Sequence, residues 1–288
     1  MQARELTARL KRRARAEGFE VVGIGAAGRL EDDAAALRAW LRDGRQAAMD
    51  WMGRDPDRRD DPDRLLPGCR SVVALAISYW PGESAAVAPA GRGRVARYAW
   101  GRDYHKVLGG KLRKLAAWLE GATDRPVRAF VDSAPLLERG WARRSGVGWI
   151  GKNANLLSRE IGSWLLLGEI LSAAELDPDP GPHDDFCGSC TACLEACPTG
   201  AIVKDGVVDS NRCIAYWTIE HRGPIPPARR AGLGDWIFGC DICQEVCPWN
   251  RRFARPVPEG RFRRRPDLEA LDAAEILALD EAAFRERY

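Results

Sequence analysis

Short apolar runs and amphipathic stretches alternate along the first 176 residues. Four apolar runs of strand length are bounded by Gly, Pro or polar residues, which is typical of strands in a sheet. They lie at 21–27, 71–80, 127–132 and 163–172. Stretches with apolar residues at three- and four-residue spacing predict helices over 4–17, 31–44 and 103–121. We therefore predict an α/β domain over residues 1–176.

The rest of the chain is organised differently. A Pro- and Asp-rich segment, LDPDPGPHDD, predicts a linker at 176–185, and cysteines dominate the sequence from there to about residue 250. We place a cysteine-rich domain at 177–252. A basic C-terminal tail follows at 253–288, with one predicted helix over 266–279.

Composition narrows the class of protein. Of 288 residues, 45% are hydrophobic and 30% are charged, and a net charge of +3 does not by itself indicate a nucleic-acid partner. No apolar run approaches the ~18 residues of a membrane span, and the N-terminus lacks the apolar core of a secretory signal. Nine cysteines, an odd number, argue against a disulfide scaffold. We expect a cytoplasmic protein without a membrane partner, whose clustered thiolates bind metal.

The first cysteine motif has the spacing of a bacterial ferredoxin. It reads Cys187-x2-Cys190-x2-Cys193-x3-Cys197 and is followed by Pro198. In this arrangement three close cysteines bind one 4Fe–4S cluster, and the fourth binds the other cluster of a pair. A structural zinc site, the main alternative, usually takes four ligands from two Cys-x2-Cys pairs, which this run does not match.

The second motif supplies the remaining ligands. It contains Cys240, Cys243 and Cys247, and a lone cysteine, Cys213, precedes it, which brings the candidate ligands to the eight that two 4Fe–4S clusters need. The crossover rule assigns the first cluster to Cys187, Cys190, Cys193 and Cys247. It assigns the second cluster to Cys197, Cys213, Cys240 and Cys243. Cys69 remains, just before an apolar strand, and is expected to be a small core residue.

Two glycine-rich segments weakly match nucleotide-binding motifs. GIGAAG (23–28) fits GxGxxG, but no clear helix begins at its third glycine, so a tight turn is the favoured interpretation. GVGWIGKN (146–153) is close to a Walker A loop but has Asn153 in place of Ser or Thr and follows a predicted helix rather than a strand. A loop that approaches some ligand closely remains compatible with its glycines.

Several motifs together resemble the epoxyqueuosine reductase family over about residues 1–252. They are RYAWGRDYHK (97–106), RAFVDSAPLLER (128–139), GWIGKN (148–153) and RCIAYWTIE (212–220), in addition to the cysteine motifs. The resemblance implies an α+β/α/β protein: a cobalamin-binding α/β domain, a ferredoxin-like domain with two 4Fe–4S clusters, and a short helical tail. It also implies the last step of queuosine synthesis, in which the epoxide of epoxyqueuosine at the tRNA wobble position is reduced to an alkene.

The resemblance assigns chemistry to residues of this chain. Deoxygenating an epoxide takes two electrons and two protons, and cluster potentials reach down to about −700 mV, low enough to reduce cobalamin. The family's proton donor corresponds to Asp132, at the end of a predicted strand, where α/β sheets usually bind ligands. Near neutral pH such an acid would need burial beside the corrin. The alternative is that Asp132 only caps a following helix, for which Ser133 is also placed. Arg139 either stabilises negative charge or is a solvated helix residue.

Matched motifs also suggest contacts with cobalamin. The candidates are Arg59, Tyr98, Tyr104, Asp132, Lys152, Asn153 and Asp241. Tyr98 and Tyr104 could equally be packed aromatic residues. His105 is not expected to bind cobalt, because the family uses no protein histidine for that purpose.

The tail is the expected site of RNA contact. Many family members continue into a helical-repeat domain that helps to hold tRNA, and after the cysteines this sequence has room for one helix. The segment RRFARPVPEGRFRRR (251–265) offers phosphate contacts and, through Phe253 and Phe262, base stacking, although such a run can also be a solvated face. The candidate arginines are Arg251, Arg252, Arg255, Arg263, Arg264 and Arg265.

Three functions remain open from the sequence. The leading one is reduction of epoxyqueuosine in a tRNA with a GUN anticodon, driven by an external low-potential electron donor. The second is reduction of a small molecule by the same cofactors, as in reductive dehalogenases. The third is a two-cluster electron carrier, which would leave the α/β domain without a role.

Overall fold

The computed structural model describes residues 2–82, 92–257, 259–268 and 271–287. The strands in this part of the chain are β1 (Val21–Ala26), β2 (Ser71–Ser78), β3 (Arg94–Val95), β4 (Val127–Phe130), β5 (Trp149–Ile150), β6 (Leu156–Leu157), β7 (Leu165–Ser172), β8 (Ile202–Lys204), β9 (Val207–Val208) and β10 (Trp236–Phe238). The helices of the first 176 residues are α1 (Ala3–Ala16), α2 (Glu31–Arg42), α3 (Pro56–Asp60), α4 (Tyr104–Thr123) and α5 (Glu138–Arg144). Those of the remainder are α6 (Ala192–Ala196), α7 (Pro227–Leu233), α8 (Ile242–Glu245), α9 (Pro248–Phe253), α10 (Ala273–Ala278) and α11 (Glu281–Arg287).

The four predicted apolar strands form one sheet. Its strand order is β1-β2-β7-β4, and each neighbouring pair is antiparallel. Every residue of β2 is buried, because helices cover both faces of this central strand. The rule used to place Asp132 at a ligand-binding strand end applies to parallel sheets, so that part of the sequence argument was wrong. Asp132 nevertheless lies just beyond the end of β4.

Helices cover the two faces of the sheet. Helices α1 and α4 pack on one face, where Leu10, Leu108 and Leu112 are fully buried. Helix α5 packs on the other face. There β1 approaches so closely that a Cβ on Gly23 would lie 2.1 Å from the carbonyl oxygen of Ser145. The glycine in GIGAAG therefore permits packing in the middle of a strand, and the expected tight turn is not what requires it.

The start of α5 corrects a sequence prediction. The helix begins at Glu138, so neither Asp132 nor Ser133 caps it. Asp132 instead adopts a left-handed backbone with φ of 47°, and its N–H donates to Oε1 of Glu138 at 2.7 Å. Asp tolerates this conformation better than most residues do. The residues between β4 and α5 therefore form a separate loop, 131–137, which we call the Asp132 loop.

The cysteine-rich region attaches to the α/β half through buried polar contacts. Arg97 precedes α4 and is 2% exposed; its backbone N–H and Nη1 each lie 2.9 Å from Oδ2 of Asp241. Its guanidinium also lies over the rings of Trp80, Trp100 and Trp164. The two halves therefore share a buried polar contact.

The described part of the tail contains two short helices, α10 and α11, rather than the single one predicted over 266–279. Asp272 caps α10, and Oδ1 of Asp280 accepts from the backbone of Ala283 in the first turn of α11, so each helix has its own cap. Phe262 is buried against the α/β half, where Gly101 leaves room for its backbone. Among the described residues, no helix is long and apolar enough to cross a membrane.

Candidate functional site

Three neighbouring cysteines and a fourth that is distant in sequence line one small cavity. They are Cys187, Cys190, Cys193 and Cys247. The cavity has a volume of about 180 Å³, and aromatic side chains complete its wall. Trp149 packs edge-on against Trp249 and Phe186, with ring centroids 4.8 and 5.2 Å apart. We call this cavity the small pocket.

The other four clustered cysteines belong to the wall of a second cavity. They are Cys197, Cys213, Cys240 and Cys243, and we call them the cavity-wall cysteines. This large cavity has a volume of about 1260 Å³. Burial raises the pKa of Cys240 to about 12 and that of Cys243 well above its usual value, and neighbouring thiolates raise both further. Cysteines bind metal as thiolates, so a metal centre bound at this wall would replace the protons of these groups and neutralise their mutual repulsion.

The α/β half supplies the remaining walls of the large cavity. Its apolar part comes from α2 and the following turn, with Leu37, Trp40, Trp51 and Met52. The indole of Trp40 donates to the carbonyl oxygen of Val208 at 2.7 Å and so fixes one edge. The polar part comes from the Asp132 loop and the first turn of α5. A cleft this large between two halves of a protein, with an apolar lining and a few polar groups, is typical of a cofactor site.

Asp132 lines the large cavity with its side chain accessible. Oδ2 accepts a hydrogen bond from Oη of Tyr104 at 2.7 Å, and Nε2 of His105 lies 3.7 Å from the same oxygen. The carboxyl group is 63% exposed. The chain alone therefore does not supply the burial that we expected for a proton donor at this position.

Two further carboxyl groups lie behind Asp132. Glu169 on β7 is fully buried, and desolvation, with repulsion from Glu138, raises its pKa well above the usual value. Desolvation likewise raises the pKa of Glu138 to about 7. Arg139 is exposed at the wall of the cavity and donates to the carbonyl oxygen of Ala154.

The structure separates the candidate cobalamin contacts. Arg59, Asp132 and Asn153 line the large cavity. Arg59 is buried and donates to the carbonyl oxygens of Trp51 and Met52 at 3.1 Å, so it also holds the cavity wall in place. Nδ2 of Asn153 lies 3.4 Å from the carbonyl oxygen of Cys243 and bridges to the cysteine-rich region.

The other candidates lie outside the lining of the large cavity. Lys152 lines the small pocket and forms an ion pair with Asp205 at 3.3 Å. Tyr98 packs edge-on against Tyr104, as the alternative interpretation of both residues expected. Asp241 is 1% exposed and bound to Arg97, so its carboxylate is occupied by a structural ion pair.

The tail arginines do not form one uniform surface. Arg251, Arg252, Arg255 and Arg263 are exposed. Arg264 is half-buried over the ring of Trp100, and its Nη2 donates to the carbonyl oxygen of Leu268. The expected stacking by Phe262 was wrong, because that ring is buried in the hydrophobic core. Phe253 stacks on Trp249 with centroids 5.1 Å apart.

The second glycine-rich segment lies beside the small pocket. Gly148 allows β5 to approach β6, where a Cβ would lie 1.9 Å from the carbonyl oxygen of Leu157. A Cβ on Gly151 would lie 3.3 Å from Sγ of Cys187. The segment is thus a tight hairpin whose end approaches a cysteine, and its backbone conformation differs from that of a strand–loop–helix phosphate site.

Sequence reasoning missed several parts of the site. The large cavity also uses Trp40, Trp51, Val207 and Val208, none of which belongs to a short motif. Trp40 lies on the apolar face of a predicted helix, where core packing is the ordinary interpretation. Glu169 carried a usable signal, because it is the only charged residue in the run SWLLLGEILS.

Two family models match separate parts of this chain. Residues 186–250 match a family model described as a 4Fe–4S double cluster binding domain. Residues 59–133 match one described as Epoxyqueuosine reductase QueG, DUF1730.

Curated relatives cover most of the chain. An epoxyqueuosine reductase of Synechocystis is 48% identical over 259 residues, which are 87% of this chain and 88% of that protein. One from Gloeobacter violaceus is 47% identical and covers 96% of this chain and 85% of that protein.

Solved structures are similar over nearly the whole chain. An epoxyqueuosine reductase with an epoxyqueuosine-modified tRNA-Tyr stem loop has a TM-score of 0.90 at 32% identity, covering 98% of this chain and 75% of that one. An epoxyqueuosine reductase from Bacillus subtilis, with its catalytic aspartate loop swung out of the active site, has a TM-score of 0.89 at 31% identity. It covers 99% of this chain and 75% of that one.

Proposed function

The chain belongs to the epoxyqueuosine reductase family, and from this membership we propose that it reduces epoxyqueuosine to queuosine at the wobble position of tRNA. The substrate is a tRNA with a GUN anticodon that carries the epoxide. The observation that carries the proposal is the large cavity, which has clustered cysteines in one wall and Asp132 and Arg139 in another.

Two 4Fe–4S clusters belong to the cysteine-rich region, as its family model describes. We assign one cluster to the small pocket and the other to the cavity-wall cysteines. The grouping of the side chains supports this assignment, since each pocket gathers four cysteines. The crossover of Cys247 and Cys197 follows the habit of two-cluster ferredoxins.

The large cavity fits a corrin cofactor. Its volume of about 1260 Å³ exceeds the roughly 300–1,000 Å³ of ordinary small-molecule sites. Its apolar lining, which includes Trp40 and Trp51, and its accessible carboxyl and guanidinium groups suit a large ring with polar edges. When bound there, cobalamin would supply a strongly reducing cobalt centre, and Arg59, Arg139 and Asn153 would be among the residues that hold it.

In the proposed reaction, residues of this chain donate a proton to the leaving oxygen and stabilise its negative charge. The overall reaction converts the epoxide, two electrons and two protons into an alkene and water, so the oxygen must be protonated as it leaves. Asp132 donates a proton to that oxygen, and Tyr104 orients the acid through the 2.7 Å hydrogen bond. Arg139 stabilises negative charge that develops on the oxygen.

When both clusters are bound, the one at the small pocket would receive electrons and the one at the cavity-wall cysteines would pass them to the large cavity. Two observations support this order. Only the cavity-wall set borders the large cavity, and Cys193 of the small pocket lies close enough to Cys243 for their thiolates to repel each other. An external donor of low potential is required, because the overall reaction consumes two electrons.

The proposed reaction is tested with a tRNA stem loop that carries epoxyqueuosine. Anaerobic protein loaded with iron, sulfide and cobalamin should convert the stem loop to queuosine when a chemical reductant is present, as mass spectrometry of the digested RNA reports. Cobalamin added to the cluster-loaded protein should change its visible spectrum. A protein that binds both cofactors and leaves the epoxide intact would contradict the proposal, as would normal queuosine in a deletion strain that encodes no second reductase.

A further inference from the structure

The fully buried carboxyl group of Glu169 lies beside Glu138, which is half-buried at the wall of the large cavity, and the proposed reaction does not use either group. Glu169 pairs with Ala74 of β2 on one side and Phe130 of β4 on the other, so it lies in the interior of the sheet. It is completely inaccessible to solvent. Glu138 begins α5, which packs on the sheet. A carboxyl group so deeply buried normally has a hydrogen-bond partner.

A shared proton would satisfy this pair. Among the described residues, neither carboxylate oxygen of Glu169 accepts a hydrogen bond. The carboxyl of Glu138 is its neighbour, so a proton on Glu169 would provide a donor and Glu138 the acceptor. Desolvation raises the pKa of both groups, which agrees with one retained proton.

The same Glu138 carboxylate holds the Asp132 loop. Its Oε1 accepts from the backbone N–H of Asp132 at 2.7 Å, and Asp132 is the residue with the left-handed backbone. A non-glycine residue in that region persists only where the surroundings enforce it. The hydrogen bond to Glu138 therefore fixes the turn that directs the Asp132 side chain into the large cavity.

We propose that Glu138 and Glu169 share one proton and that this carboxyl pair positions the Asp132 loop. Glu138 accepts from the Glu169 hydroxyl and from the Asp132 amide at the same time. Both are positioning residues, since neither is required to touch the substrate. The proposal rests on the proposed function only for the chemical role of Asp132.

Alkaline pH should release the loop. The charged and titratable groups around the pair are Asp132, Tyr104 beside it, His105 near the same carboxylate, and Arg139. Arg139 favours a single negative charge on the pair but does not balance a second one within the buried sheet. As pH rises and the shared proton is lost, two adjacent carboxylates repel each other and the acceptor for the Asp132 amide moves away.

Hydrogen exchange of the Asp132 amide tests the contact directly, in cluster-loaded protein without cobalamin. After correction for intrinsic exchange, wild-type protection should fall at least about tenfold as the pair loses its proton. Glu169→Gln should keep its protection across the same range, because an amide donates to Glu138 at every pH. Glu138→Ala should lack the protection throughout, and Glu138→Gln, which keeps an acceptor oxygen, should restore it. Glu175→Gln, at the exposed pair with Arg70, is the matched control and should behave like wild type.

Turnover of the epoxyqueuosine stem loop tests the consequence. The wild-type rate should decline on the alkaline side, and Glu169→Gln should remove that decline, while Glu138→Ala should lower kcat at least about tenfold with KM unchanged. Identical pH dependence of protection in wild type and Glu169→Gln, or full activity of Glu138→Ala, would overturn the proposal. Full activity of Asp132→Asn would instead refute the acid role of Asp132 and leave the exchange result standing, so the two failures can be told apart. The unfolding midpoint of each variant shows whether a loss reflects misfolding.

Discussion

The small pocket and the cavity-wall cysteines are equal in number but differ in their surroundings. The small pocket is enclosed by Trp249, Phe186 and the hairpin loop at Asn153, and it does not border Asp132. The cavity-wall cysteines open onto the large cavity and face residues of the α/β half. The first environment suits a relay that receives electrons, and the second suits delivery to a reaction centre.

The difference shows how one sequence motif serves two tasks. The two cysteine motifs, 187–197 and 240–247, have similar ligand spacing. The spacing determines that a cluster binds, but it does not determine which other parts of the protein lie next to that cluster. The contacts outside the motif decide that. Arg97 and Asp241 fix the second motif against the α/β half, while aromatic rings packed edge-on surround the small pocket.

Replacing one cysteine in each pocket should have the largest effect on turnover. Two four-iron clusters hold eight irons, so Cys243→Ser and Cys187→Ser should each leave about four. Cys243→Ser should abolish turnover under all conditions. Cys187→Ser should abolish turnover with a protein donor but retain a single turnover with a small chemical reductant that reaches the cavity. Cys69→Ala, outside both pockets, is the control. Equal residual activity of the two serine variants would contradict the proposed difference between the small pocket and the cavity-wall cysteines.

Asp132→Asn should lower kcat by about 10²–10⁴-fold, the range of a lost general acid. The amide cannot supply the proton, but it keeps the size of the side chain and the hydrogen bond to Tyr104. Iron content should match the wild type, because Asp132 is not a cluster ligand, and stem-loop affinity should change little, because Asn keeps the size of the side chain and the bond to Tyr104. A decrease of less than tenfold would show that another group protonates the leaving oxygen.

Arg97→Met should weaken the attachment of the second cysteine motif to the α/β half. Removing one partner of a buried ion pair costs about 3–5 kcal/mol, because the Asp241 carboxylate is left buried and unpaired. Denaturant unfolding measures the loss. Arg70→Met, at the exposed pair with Glu175, should cost about 0–1 kcal/mol. Similar losses in the two variants would mean that the buried pair does not hold the halves together.

Substitutions of arginines in the tail should have the smallest effect, and that effect should be on RNA binding. Arg252→Gln together with Arg255→Gln should weaken stem-loop binding at every RNA sequence and reduce the salt slope of log K by about 1.4–1.8, since each lost phosphate contact removes about 0.7–0.9. Arg264→Gln should change the slope less, because its guanidinium is held over Trp100. Binding titrations at several salt concentrations provide the measurement. An unchanged slope in the double variant would exclude these arginines from the RNA contact.

Local patterns predicted the elements well and their arrangement less well. The apolar runs at 71–80 and 163–172 became β2 and β7, because a strand buried on both faces needs an apolar residue at nearly every position. The antiparallel order was not predictable, since periodicity does not encode strand direction. The Asp132 loop was missed because its conformation depends on a long-range acceptor, Glu138, rather than on a capping residue.

The sequence likewise predicted some parts of the candidate site and not others. Cysteine spacing predicted which side chains lie together in each pocket, because cluster chemistry constrains the spacing directly. Contacts around the large cavity were predicted only in part. Asp241 stands beside a cysteine in sequence, yet the structure turns its carboxylate towards Arg97. Trp51 and Val208 carry no chemical signature and come together only through tertiary packing.

The interleaving of the two cysteine sets has a consequence for biosynthesis. The small pocket begins at Cys187 but is completed only by Cys247, and the other set is completed only by Cys243. A ribosome must therefore translate the whole cysteine-rich region, and its exit tunnel must release it, before either set is whole. The carriers that deliver iron and sulfur consequently meet a chain whose α/β half has already been synthesised, and a nascent chain stalled within this region exposes incomplete groups of oxidisable thiols.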